Sequence, residues 1–231
     1  MGEVKYTFAP APAFTDQNPT LFRASCHHVP VVRAIVLAGG ASSRMGRPKA
    51  GLPLSDPADT FLSRQLRTLT AAGLPDIVVV TGSAPEAVHA AAGRIRRHVR
   101  FEHNPRWSEG QLTSLLAGLR ERRGEVIEAA LVTLVDAPLL TADTVARVVQ
   151  TWRQQHSLIV RPARGDEHGH PVLFDRALFD ELQSADPSRG AKAVLRAHEG
   201  DIVNVPVDDA GAFLDLDTEQ EYLEVLRELR H

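Results

Sequence analysis

Apolar residues fall along the chain in two rhythms: short unbroken runs bounded by Gly, Pro or Asp, and longer stretches where they return every third or fourth position. The runs Val31 to Leu37, Ile77 to Thr81, Val99 to Glu102, Ala130 to Val135 and Leu158 to Val160 predict strands. Thr60 to Ala72 sets Phe61, Leu62, Leu66 and Leu69 on one helical face and stops at Gly73. Pro85 to Ala92, Gln111 to Arg122, Thr141 to Gln155 and Asp175 to Gln183 repeat that spacing, several behind a capping Asp, Ser or Thr. Residues 163 to 174, rich in Gly and His, interrupt the alternation and read as a loop or hairpin insertion. Ser188 to His198 resumes a helix, Ile202 to Val207 a strand, and Leu214 to Asp217 leads into a last helix, Glu219 to Leu229. Strands alternating with helices predict an α/β protein, a Rossmann-like three-layer fold with a mainly parallel central sheet and ligands at the strands' carboxyl ends. Residues 1 to 30, with Pro10, Pro12, Pro19, Pro30 and no apolar period, read as a flexible extension, which leaves 31 to 231 as a single domain.

Composition removes several classes of function. The 231 residues are 43% hydrophobic and 24% charged, the mixture of a globular protein with a sizeable core. With 26 basic against 29 acidic residues the net charge is -3, so no overall positive field points to nucleic acid, and any anion site is local. No apolar stretch approaches the length of a membrane span and no secretory signal opens the chain, which predicts a cytoplasmic protein without a membrane partner. Cys26 stands alone, so neither an internal disulfide nor a thiolate zinc cluster is available. Of the basic residues only Lys5, Lys49 and Lys192 are lysines, and a lysine kept in an arginine-rich chain marks a place that wants a compact charge on a flexible stem.

The strongest local signal follows the first strand: Leu37, Ala38, Gly39, Gly40, Ala41, Ser42, Ser43, Arg44, Met45, Gly46, Arg47, Pro48, Lys49. Glycines let the backbone N–H groups approach phosphate oxygens closely, and Arg44 and Lys49 bring positive charge to the same mouth. The spacing is that of neither a P-loop nor a G-x-G-x-x-G dinucleotide turn, so an oxidoreductase on a dinucleotide fold is disfavoured. Asp136 ends the run Leu131 to Val135, at the carboxyl edge of a predicted strand. It suits a magnesium ligand, since magnesium takes one or two protein carboxylates plus substrate phosphates; the competing reading is a cap for the helix near Thr141 or a brace for the Pro138 turn. Asp215 and Asp217 alternate about Leu216 and share a face if extended, with Asp217 also placed to cap the last helix. His168 and His170 lack a third partner for zinc.

Together these segments resemble the MobA/MocA-like NTP transferases, the molybdenum cofactor nucleotidyltransferases. Leu37 to Lys49 resembles their L-A-G-G-x-S-x-R-M-G-x-x-K signature, and Asn104-Pro105 with Trp107, Gly110, Gln111 and Ser114-Leu115 is similar to N-x-x-W-x-x-G-x-x-S-S-L, with Thr113 for the first Ser. Val135-Asp136-Ala137-Pro138 resembles the acidic turn, Gly169-His170-Pro171-Val172-Leu173-Phe174 the cytidylyl branch's G-H-P-V-L-F, and Asp215-Leu216-Asp217-Thr218-Glu219 the closing D-I-D-T-P-E-D without its Pro. The resemblance implies a nucleotide-diphospho-sugar transferase-like fold and transfer of NMP from an NTP to the phosphate of a pterin, with release of pyrophosphate. It implies Lys49, Arg44 and Asp136 as catalytic residues, and Leu37, Ala38, Gly39, Gly40, Ser43, Gly46, Asn104 and Ser114 with Arg44 and Lys49 as nucleotide contacts. It also implies Mg2+ on Asp136 and Asp217, or Asp215, and Gly169, His170 and Pro171 on the acceptor side. For Asn104 and Ser114 helix capping competes with ligand contact, and for His170 an ordinary hairpin histidine does.

The signals for the base disagree. Gly39 fits the guanylyl pattern, while Gly169-His170-Pro171 and Asp215-Leu216-Asp217 lean to the cytidylyl branch, so CTP with molybdopterin is favoured over GTP or a sugar-phosphate acceptor. A non-catalytic carrier of nucleotide or pterin for a molybdoenzyme, or for its chaperone, is the reading from another class. Lys49, Arg44, Asp136 and Asp217 argue against it, since a mere binder has no need for paired carboxylates at a metal position.

Overall fold

The computed structural model describes residues 31–229, and the N-terminal extension expected over 1 to 30 lies outside the described residues. β1 (Val32–Ala38) is buried along its whole length, as an unbroken apolar run covered on both faces must be. It pairs in parallel with β2 (Asp76–Thr81) on one side and β4 (Ala129–Leu134) on the other, and β2 carries β3 (Arg100–His103) at the sheet edge, also parallel. Three helices, α1 (Phe61–Ala71), α2 (Pro85–Ala91) and α4 (Ala142–Gln155), bury Leu62, Leu66, Val88, Val148 and Trp152 with the side chains of one sheet face. On the other face α3 (Gln111–Leu119), α5 (Phe179–Ser184) and α6 (Lys192–Ala197) supply Leu112, Leu115, Leu182 and Val194. The result is the three-layer arrangement.

The main departure from the sequence reading is the stretch 163 to 174. β5 (Ile159–Arg164) turns back through β6 (Glu167–His168) into β7 (Val172–Asp175), and β7 lies antiparallel between β4 and β5, inside the sheet and not appended to it. β8 (Ile202–Pro206) then pairs in parallel with the far side of β5. The hairpin pairs Ala163 with His168 and Val160 with Leu173. Three steps along β5 thus face five steps on the return, and the surplus bulges out at Gly169-His170-Pro171. Val172, Leu173 and Phe174 are all buried, a run too short beside Gly and Pro to announce itself as a central strand.

α3 ends three residues earlier than predicted. Arg33, fully buried on β1, donates to the carbonyls of Gly118 and Arg120 and to the carboxylates of Asp76 and Glu125, which draws the chain out of the helix. α7 (Glu219–Glu228) packs Tyr222 and Val225 on a third cluster with Met45, Leu52, Phe61, Leu139 and Leu216. This returns residues 215 to 217 to the carboxyl ends of β1 and β4.

Candidate active site

β1, β2 and β4 are parallel, so Ala38, Thr81 and Leu134 end at one edge and their following loops meet there. The glycine segment leaves β1 and is braced from the β2–α2 loop, where Ser83 N–H donates to the Gly39 carbonyl at 3.0 Å and Ser83 Oγ to that of Gly40 at 2.8 Å. A Cβ at Gly82 would stand 2.7 Å from Cβ of Trp107 and 2.8 Å from Cα of Gly39, so only glycine permits this approach. A tight turn follows: Met45 and Gly46 N–H both donate to the Ser42 carbonyl, with Gly46 at φ +67°. Lys49 N–H donates to Ser42 Oγ and opens a short 3-10 turn, Lys49–Gly51, that points its side chain back under the loop.

Lys49 is 8% exposed. Its Nζ donates to Asp136 Oδ2 at 2.8 Å and to Asp217 Oδ1 at 2.5 Å, while Arg44 reaches Asp217 Oδ2 at 2.8 Å. Burial works against the Lys49 charge, but the hydrogen bonds and fields of Asp136 and Asp217 outweigh it and hold the ammonium pKa above its ordinary value. The Lys49 hydrogen bond, against some desolvation and helped by Arg44, holds Asp217 below the usual carboxylate range. Asp215 as a residue is open to solvent, yet desolvation of its carboxyl group, with Asp136 and Asp217 near, raises its pKa.

Neither carboxylate does the capping that competes with a functional role. Thr141 caps α4, with Asp209 Oδ2 accepting from the Thr141 N–H and from the Thr141 and Thr144 hydroxyls. Thr218 and Glu221 form a capping box at α7. Asp136 stands in the turn after β4, where the Leu216 N–H donates to its carbonyl at 2.8 Å and ties the two acidic segments together. The turn is clamped from α1 by Gln65, whose Nε2 donates to the carbonyls of Leu134 and Ala137. Gln65 carries no motif, and nothing in its helical spacing distinguishes it from an ordinary polar position.

A cleft of about 280 Å³ runs along this edge. Leu37, Ala38, Gly39, Gly40, Ser43, Arg44, Lys49, Ser114, Asp136 and Asp217 all line it, joined by Ser42, Ala84, Val88, Trp107 and Gln111. Gly46 shapes the turn without lining the cleft. Asn104 does not line it either: 2% exposed, it donates to Thr113 Oγ1 and Ser114 Oγ and accepts from Arg106 N–H, which makes it a buried strut for α3 and not a wall of the cleft. Asp215, Gly169, His170 and Pro171 lie outside the lining. The His170 ring is sunk beside them; desolvation lowers its pKa against the opposing fields of Asp215 and Asp136, and its Nδ1 has no hydrogen-bond partner.

For a divalent cation the donor set is two carboxylates and no more. Among the described residues no three His, Cys, Asp or Glu side chains converge on one point. That fits magnesium, which completes its shell with water and substrate phosphates. Asp136 Oδ1 is buried with no hydrogen-bond partner, an unsatisfied hard oxygen at the place where such an ion is wanted. Among the described residues no helix is long and apolar enough to cross a membrane.

The nicotine blue oxidoreductase of Paenarthrobacter nicotinovorans is 30% identical over 86% of this chain and 98% of its own. The molybdenum cofactor cytidylyltransferase of Escherichia coli K12 is 27% identical, covering 83% and 94%, and the guanylyltransferase of Rhizobium meliloti 1021 is 29% identical, covering 84% and 90%. Among solved structures, Rv0371c of Mycobacterium tuberculosis H37Rv superimposes with a TM-score of 0.73 at 26% identity, over 86% of this chain and 98% of its own. Its complex with manganese matches over the same shares with a TM-score of 0.67. The MobA-like NTP transferase domain matches residues 34–202, well over half of the sequence, and the chain belongs to that family of nucleotidyltransferases.

Proposed function

We propose that the protein transfers CMP from CTP to the phosphate of molybdopterin and releases pyrophosphate. The observation that carries this reading is the Lys49 ammonium held between Asp136 and Asp217 at the rim of the glycine-loop cleft. An acceptor phosphate is already anionic, so the reaction needs no strong base; it needs alignment and stabilisation of charge on the transferred group and the leaving pyrophosphate. An acceptor oxygen forms the new bond to the α-phosphorus as the bond to the bridging oxygen of pyrophosphate breaks. Glycine-loop amides and Arg44 hold the β and γ phosphates, and Lys49 meets the negative charge on the α-phosphate oxygens. Asp136 and Asp217 would hold a divalent cation, magnesium by preference, which supplies further charge neutralisation to the phosphates when bound. His170 and the Gly169-His170-Pro171 bulge stand on the acceptor side, beyond the carboxylates.

The choice of CTP over GTP rests on the His170 segment and Asp215-Leu216-Asp217, with a relative of each kind among the matches. The name of the Paenarthrobacter relative raises an oxidoreductase instead; the lack of a G-x-G-x-x-G turn, and a lysine with paired carboxylates beside a glycine loop, favour phosphate chemistry. The test is pyrophosphate release by the purified protein with magnesium, molybdopterin and each of CTP, GTP, ATP and UTP. Release with CTP alone is expected; release with GTP alone transfers the reading to the guanylyl branch; nucleotide binding without pyrophosphate from any of them removes molybdopterin as acceptor.

A further inference from the structure

The ammonium of Lys49 occupies the point between Asp136 Oδ2 and Asp217 Oδ1 where two carboxylates would share a cation. We propose that Lys49 is a built-in stand-in for the divalent ion: it neutralises the two carboxylates until the phosphates of an NTP draw it away, so that metal and nucleotide enter together. The inference deepens the nucleotidyl-transfer reading and rests on it.

A purely structural ion pair explains less. Neither aspartate caps a helix, since Thr141 with Asp209 and Thr218 with Glu221 do so. Asp136 Oδ1 is a buried acceptor with no hydrogen-bond partner while its sister oxygen is held by Lys49, so the pair as it stands leaves a hard oxygen open to a cation. The residue type fits a movable charge. In a sequence with three lysines among 26 basic residues, the one here is a point charge on a flexible stem, and a guanidinium would grip the carboxylates in a fixed fork. Arg44, the other cation on Asp217, is 69% exposed and holds Oδ2, whereas the buried Lys49 stands between the two carboxylates. The carboxylate oxygens stand 2.8 and 2.5 Å from Nζ. Magnesium wants about 2.0–2.1 Å, so an ion replacing the ammonium needs a contraction of roughly 0.4 to 0.8 Å at the two oxygens. Ammonium and ion exclude each other there.

Mn2+ binding to the full chain, followed by electron paramagnetic resonance without nucleotide, tests this. The wild type is expected to bind weakly, Lys49→Met at least tenfold more tightly, and Lys49→Arg no more tightly than wild type. Asp136→Asn added to Lys49→Met should abolish the gain, which locates it. Equal Mn2+ affinity of wild type and Lys49→Met overturns the proposal. Should Lys49→Met not fold because its carboxylates repel, Lys49→Met combined with Asp217→Asn relieves the repulsion and must still bind Mn2+ more tightly than Asp217→Asn alone; if it does not, the proposal fails. The parent reading fails separately: a gain in Mn2+ affinity with no pyrophosphate from any NTP leaves the stand-in and removes the reaction, while pyrophosphate without the gain does the reverse.

Discussion

At Lys49 the local chain and the distant chain meet: Ser42 fixes its backbone from seven residues away, and Asp136 and Asp217 fix its ammonium from 87 and 168 residues away. Lys49→Ala is expected to lower kcat by on the order of 10² or more, with the circular dichroism of the native fold retained; near-normal turnover in steady-state kinetics would take Lys49 out of the chemistry. The glycines make a second, steric prediction. A Cβ at Gly39 meets Gly82 N and Ser114 Oγ at 3.4 Å, ordinary contact, so Gly39→Ala should change stability by less than about 1 kcal/mol. Gly82→Ala collides with Gly39 and Trp107, and should cost about 1–3 kcal/mol in thermal unfolding and raise the KM for NTP by pushing the loop into the cleft. Asp136 stands out in the sequence because it ends a strand, and Lys49 because lysine is rare and it closes the glycine segment, whereas Asp217 is preferred over Asp215 through the family resemblance; the structure brings all three together. The roles of Asn104 and Gln65 are not legible there. Whether a polar side chain faces the cleft or struts a neighbouring element depends on how α1 and α3 pack, and neighbours far apart in sequence decide that.

Elements were read well where burial is one-sided or complete and poorly where a few long side chains decide the ends. β1, β2, β4, α1 and α4 fall within about a residue or two of expectation because apolar spacing alone specifies them. α3 stops early where Arg33 takes the carbonyl of Gly118 and that of Arg120 just past the helix end, and β7 is hidden because a four-residue strand buried on both faces has no period to show. The same arginine makes a pH prediction. The Arg122 N–H, then Arg33, then Arg100 hold Glu125 down to about 2 from its ordinary 4.5. A carboxylate depressed on folding contributes stability that is complete above its unfolded value and drains as pH falls from about 4.5 toward 2. Glu125→Gln should therefore be less stable than wild type near neutrality and lose less between those two pH values, read from urea denaturation across the range. Parallel curves for the two proteins would mean that Glu125 is not the group that ties β1 to β3.

The whole molecule depends on a segment that the matched family region does not include. That region ends at residue 202, yet Asp217 and the packing of α7 lie beyond it. Three attachments bring this tail home. Asp209 takes the start of α4, Leu216 donates to the Asp136 carbonyl from inside the third cluster, and Tyr222 donates its hydroxyl to the Pro53 carbonyl at 2.6 Å. Removing residues 208 to 231 would leave Thr141 and Thr144 without their carboxylate partner, expose Leu52, Phe61 and Leu139, and strand the Lys49 ammonium on one carboxylate. Leu216→Ala alone, at a fully buried position, should cost about 2–5 kcal/mol. Since a domain's entire margin is about 5–15 kcal/mol, the truncated chain is expected to show no cooperative thermal transition and no pyrophosphate release. A truncated chain that still melts sharply would assign the tail to catalysis alone. In that case Lys49 would keep its fold-level neighbours but lose the second carboxylate that holds it in place, and Mn2+ binding to the truncated protein would report the loss directly.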